Sequence, residues 1–229
     1  GAPAAFEAAA AFAIARLSDL AKGGRTTITD TVITFSGEAR DAPAYEALRQ
    51  AFARPPEGFS VGRVAILPPV VPDFHLAVER VAGGGLVLSG NTPSEVARTE
   101  TVRLATEAAN GAFVDDRMRT ARGLPEGIDP DALARTLFRF ADLMQAGRVA
   151  FDGARLSAIG DALDGQAIAD AEALMRGGLP PGITAGPVNL AARPLSPYRL
   201  AIRREADGVS LTGHLPDAAA RDRLLATIR

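Results

Sequence analysis

The feature that most constrains this chain is a strand-like phrase stated four times. Apolar and small polar residues alternate toward a glycine, and a helix-capping residue follows four positions later. The glycines are Gly37, Gly90, Gly160 and Gly213, and the caps are Asp41, Ser94, Asp164 and Asp217. A shift of 123 positions, as from Gly37 to Gly160, also aligns Leu17-Ser18-Asp19-Leu20 with Phe140-Ala141-Asp142-Leu143 and Gly24-Arg25 with Gly147-Arg148. A constant shift over such a length marks a duplication. Within each half a shorter shift of 53 recurs, from Gly37 to Gly90 and from Gly160 to Gly213.

Phe35, Leu88, Ala158 and Leu211 stand two residues before the glycines; Ile33, Leu86, Leu156 and Val209 stand four before. Alternate side chains of a strand share a face, so each phrase buries one face and wets the other. That favours two layers, with helix on one side of the sheet only. Each cap can accept a hydrogen bond from the free N–H groups opening a helix. Helical segments follow at Tyr45 to Ala53, Val96 to Ala109, Ile168 to Arg176 and from Ala218 onward. A strand candidate precedes each phrase, most clearly at Phe74 to Val81 and Tyr198 to Glu205. Gly83-Gly84-Gly85 and Asp207-Gly208 read as the hairpin turns joining them. Third strands are expected at Ser60 to Leu67, Ala112 to Thr120 and Ile183 to Ala191.

The fold class expected is α+β, built of tandem (α)ββαβ two-layer modules. Each is a small three-stranded mixed sheet with helix on one face, and the last is incomplete. The modules are expected at residues 1–71, 72–122, 123–194 and 195–229, and the first and third carry leading helices at Ala4 to Ala21 and Asp131 to Gln145. The second and fourth lack one and are expected to share a neighbour's. Proline-rich joints at Pro68-Pro69-Val70-Val71-Pro72 and Pro194-Leu195-Ser196-Pro197 stiffen the connections. Arg229 falls inside the fourth helix, so the stretch reads as part of a longer array.

Chemistry is sparse. The chain has no cysteine, which excludes disulfides, thiol nucleophiles and thiolate metal sites. His75 and His214 are the two histidines, and neither recurs in the repeat. Asp115-Asp116 would point to opposite faces of a strand and cannot converge on one ion. The triple glycine lacks the spacing and following helix of a phosphate loop. No cofactor, metal or catalytic set is expected, and the chain reads as non-enzymatic. A net charge of −2 argues against nucleic acid as a partner. The longest apolar run, Ala8 to Ala15, is too short to span a bilayer as a helix. Arg80, Arg117, Arg119, Arg199 and Arg203 lie on candidate strands and could form a face for anionic ligands, since guanidinium matches phosphate and carboxylate. Ordinary surface charge, balanced by Glu79, Asp115, Asp116 and Glu205, is the competing reading.

The modules resemble the BON domains of bacterial envelope proteins, in the tandem form that precedes the peptidoglycan-binding domain of OmpA-family proteins. Tyr198-Arg199-Leu200 through Asp207-Gly208-Val209-Ser210-Leu211-Thr212-Gly213 and Leu86 through Ser94 carry the resemblance, with Pro68-Pro69 and Leu179-Pro180-Pro181-Gly182. It implies an αββαβ fold, a periplasmic or outer-membrane-associated location, and a binding role toward phospholipid or other envelope components. The leading expectation is a non-enzymatic spacer or protein-interaction scaffold, and the alternative is a module that binds phospholipid or another anionic envelope component with its exposed sheet face. The OmpA-like domain has no counterpart in these 229 residues, so peptidoglycan would be reached only through a domain absent here.

Overall fold

A computed structural model describes residues 5–192, 200–205, 208–213 and 223–226. The first unit runs α1 (Phe6–Leu17), β1 (Arg25–Thr29), β2 (Val32–Glu38), α2 (Ala42–Phe52) and β3 (Ser60–Leu67). The second runs β4 (His75–Arg80), β5 (Leu86–Thr92), α3 (Glu95–Ala109) and β6 (Val114–Thr120). The third runs α4 (Pro130–Ala141), β7 (Met144–Asp152), β8 (Arg155–Ala162), α5 (Gly165–Gly177) and β9 (Thr184–Ala192). The fourth contributes the hairpin β10 (Leu200–Glu205) and β11 (Gly208–Gly213), with a helical turn at 223–226. The fold is α+β, as the alternation of strand and helix signals requires.

Each of the first three units is an antiparallel hairpin whose second strand pairs in parallel with the strand beyond the helix. The registers coincide. Gly37 stands opposite Ile66, Gly90 opposite Met118 and Gly160 opposite Leu190. Each glycine lets the hairpin strands close up where a side chain would not fit. A Cβ on Gly90 would lie 2.3 Å from the His75 carbonyl oxygen, and one on Gly160 2.4 Å from that of Ala146.

Both leading helices are shorter than their apolar patterns suggest. α1 ends at Leu17 because Leu20 leaves the helix to bridge Ala39, while the Ser18 hydroxyl donates back to the Ala15 carbonyl at 2.8 Å. α4 ends at Ala141 because Met144 already pairs with Ala162 as part of β7.

The first unit keeps its own three-stranded sheet, ordered β1-β2-β3. The second and third join theirs: β4 and β7 pair antiparallel, giving one six-stranded sheet ordered β6-β5-β4-β7-β8-β9. α4 lies over that seam, packing on α3 and β4 of the second unit as well as on β7 of its own. The helix that the second unit lacks is thus supplied by the third. Leu76, Val78, Leu86, Leu88, Leu137, Phe140, Val149 and Phe151 form one buried core across both units. Burying a side chain of this size contributes about 1.5–3 kcal/mol, so neither unit separates from the other cheaply. The first unit has its own smaller core, where Phe35 stacks between Phe12 (6.2 Å between centroids, edge-on) and Phe52 (4.5 Å, tilted).

Candidate interaction face

All three helices of the six-stranded sheet pack on one side, and the other side presents the alternate residues of every strand. Register places Asp115, Val87, Glu79, Arg148, Ile159 and Asn189 in one row across this open face. The neighbouring row is mostly small: Arg117, Ser89, Ala77, Ala150 and Ser157. A third brings His75, Asp152 and Arg155 together. The small row leaves a shallow hollow of about 380 Å³ bounded by Asp73, His75, Arg148 and Asp152. His75 turns its Nδ1 to the Asp73 carbonyl at 3.0 Å.

The face is mixed in charge. Arg117 pairs with Asp115 at 2.6 Å, and its neighbour holds the guanidinium above its ordinary pKa by hydrogen bonding. Arg148 faces Glu79 at 4.0 Å. Arg119 is exposed on β6, and Arg203 is exposed on β10. Arg199 lies outside the described residues. Asp116 points to the other side, where Arg98 of α3 meets it at 2.9 Å. The adjacent aspartates therefore diverge, as strand geometry requires.

Arg80 is placed differently from the other strand arginines. It projects to the helical side, where its Nε donates to the Ala141 carbonyl at 2.8 Å and its Nη2 meets Asp142 Oδ1 at 2.7 Å. The same nitrogen lies 3.5 Å from the Ala108 carbonyl. One guanidinium thus closes the C-terminal ends of α3 and α4, where carbonyls lack partners and positive charge is favoured. It belongs to the framework and not to the open face.

The capping residues also have structural tasks. Asp41 accepts from Ala44 N–H at 2.8 Å, Ser94 from Ala97 N–H at 3.1 Å, and Asp164 from Ala167 N–H at 2.8 Å. Asp217 lies outside the described residues, and Gly213 closes β11.

Contacts between the first and second units were not legible in the sequence. Arg122, just beyond β6, donates to the Pro68 carbonyl at 2.7 Å and pairs with Glu38 at 2.5 Å. Val71 N–H donates to the Arg122 carbonyl at 2.8 Å, and Arg122 N–H to the Pro69 carbonyl at 2.7 Å. The proline-rich joint is therefore clamped by backbone hydrogen bonds. Arg49 of α2 pairs with Glu95 of α3, and Arg98 lies 3.8 Å from Glu46. Among the described residues no group of three or more His, Asp or Glu side chains could hold a metal ion.

Fold and face together define a tandem α+β repeat array whose recurring unit is ββαβ, with or without a leading helix. Residues 200–229 match the BON-like domain family, so the fourth unit contains a BON-like domain. No curated protein matches the chain. BON domains are modules of bacterial envelope proteins, and the match supports an envelope-associated role. Among the described residues no helix is long and apolar enough to cross a membrane.

Proposed function

We propose that this chain is a non-enzymatic spacer and protein-interaction scaffold of the bacterial envelope, periplasmic or associated with the outer membrane. The observation that carries this reading is the way successive units are tied together. Continuous β-pairing and a shared core join the second unit to the third, and the Arg122 clamp joins the first to the second. Such joints suit a part that holds other components at a fixed separation. The location rests on the BON-like match at 200–229, and the partners are other envelope proteins. NMR relaxation tests the mechanical claim: the first three units should share one rotational correlation time. Independent tumbling of the first unit would remove the basis for a rigid spacer.

A second reading is binding of anionic phospholipid by the open face. Arg117, Arg119, Arg148 and Arg155 favour it, since they stand on one side of one sheet. Flotation with anionic and neutral vesicles separates the two. Binding that requires anionic lipid, and weakens in Arg119→Glu, supports the lipid reading; equal recovery with both vesicle types sinks it.

A further inference from the structure

β4 and β7 are the first strands of their hairpins, and each uses its outer edge to pair with the other. The first strands of the other two units, β1 and β10, pair only with β2 and β11 among the described residues. Among the described residues the chain therefore holds one completed pair of units and two half-pairs.

The half-pairs are of complementary kinds. The first unit resembles the third. The 123-position shift matches Gly24-Arg25-Thr26-Thr27-Ile28-Thr29 to Gly147-Arg148-Val149-Ala150-Phe151-Asp152, and the hairpin registers agree. α1 corresponds to α4, so exposed Ile14 occupies the place of fully buried Leu137, and exposed Ala11 and Ala15 those of buried Ala134 and Phe138. In the third unit that helix face covers a helix-less neighbour; on α1 the same face is bare, with Ile14 66% exposed. The fourth unit resembles the second. Leu200-Ala201-Ile202-Arg203-Arg204 of β10 matches Leu76-Ala77-Val78-Glu79-Arg80 of β4, both set by pairing with the repeat glycines Gly213 and Gly90. Among the described residues it shows no leading helix, as the second unit shows none.

We propose that the β1 edge and bare α1 face of one molecule receive the β10 hairpin of a second copy of this chain, repeating the β4–β7 seam between molecules. The proposal deepens the scaffold reading and rests on it: the spacer would extend by head-to-tail addition. The contact joins different surfaces of the two copies, so it does not close on itself and permits growth into a filament. The register carried over from β4–β7 sets Leu200 opposite Ile28, Ala201 opposite Thr27, Ile202 opposite Thr26 and Arg203 opposite Arg25. The last pair replaces Glu79–Arg148 with two like charges, which weakens the contact. Association should accordingly strengthen as salt screens that pair.

The absence of cysteine makes the test direct. Thr27→Cys and Ala201→Cys are prepared as separate full-length chains, both at exposed positions, and oxidised alone and as a mixture. Opposed residues on paired strands come within disulfide reach. A disulfide-linked dimer should form in the mixture and in neither chain alone. In sedimentation, Arg203→Glu should tighten association about threefold, and Ile14→Asp should weaken it roughly tenfold or more. Cross-linking of the Thr27→Cys chain with itself would show a symmetric β1–β1 contact and overturn the proposal. No cross-link, or an Arg203→Glu chain that associates less well, would also overturn it. Each of these results leaves common tumbling of the first three units, the test of the spacer reading, untouched.

Discussion

Arg80 and Asp142 meet over the seam between the second and third units, with Nη2 of the arginine 2.7 Å from Oδ1 of the aspartate. The two partners are unequal. The arginine side chain is 12% exposed and also serves the Ala141 carbonyl, whereas the aspartate is 56% exposed. Burial pushes the Asp142 carboxyl above its ordinary pKa, against the pull of Arg80. The seam therefore depends more on the guanidinium's bonds to backbone than on the ion pair itself.

Truncating the two residues should have unequal effects. Arg80→Ala strips α4 of a charged C-terminal partner and should cost about 1.5–3 kcal/mol in urea unfolding. Asp142→Asn keeps an acceptor near Arg80 and removes a charge that burial disfavours, so it should cost well under about 1 kcal/mol. Equal losses would mean that the ion pair, and not the helix ends, is what Arg80 supports.

Leu88 lies in the shared core with no exposed surface, whereas Val96 on α3 is 80% exposed. Leu88→Ala should destabilise by about 2–5 kcal/mol, and Val96→Ala should stay within roughly 0.5 kcal/mol. Because the second and third units share that core, Leu88→Ala should lower a single unfolding transition covering both. A separate early transition for the second unit alone would contradict the shared core.

The unit itself was legible in the sequence because its determinants are local. Alternation before Gly37, Gly90 and Gly160, and the caps four residues on, are short-range requirements of strand and helix. The pairing of β4 with β7 was not. Val78 and Val149 meet across that seam, yet each strand's alternation is already accounted for by its own hairpin and cannot name a neighbour on its other edge. Sequence alone groups Arg80 with the open-face arginines because period-two alternation assigns sides only relative to a known inner residue. Arg80 follows Leu76 and Val78 on the buried side, and its length lets the charge reach the helix ends over an apolar core. Arg122 offered no signal, since its partners Pro68 and Glu38 lie in the preceding unit.

Two glycines allow opposite substitutions to be predicted. Gly90 has φ +101° and faces the His75 carbonyl, so Gly90→Ala combines backbone strain with a clash against main chain. Thermal unfolding should show a loss of more than about 1 kcal/mol. Gly165 opens α5 with no atom within 4 Å of where a Cβ would stand, apart from its chain neighbours and the backbone of its own helix, and it has no positive φ. Gly165→Ala should leave stability unchanged or raise it by about 0.4–1 kcal/mol. If both were tolerated alike, the close approach of β4 and β5 at Gly90 would not be what that glycine is there to permit.

The cap of α2 should also be visible in the acid limb of the stability curve. The Ala44 N–H, and then the Arg40 side chain, hold the Asp41 carboxyl below its ordinary value of 3.8. A depressed folded pKa contributes stability that is present above 3.8 and disappears as pH falls through the folded value. Asp142 acts in the opposite sense, since its raised pKa makes protonation favour the folded chain, so the informative quantity is a difference between variants. Asp41→Asn keeps the capping oxygen but cannot titrate. Its stability should approach that of the parent chain as pH drops below 3.8, from a deficit at neutral pH. Asp41→Ala loses the cap itself and should remain about 1 kcal/mol less stable near neutral pH. A difference between parent and Asp41→Asn that stays constant from neutral pH down to about pH 2, where the carboxylate is protonated in the unfolded chain, would show that its charge adds nothing to the cap.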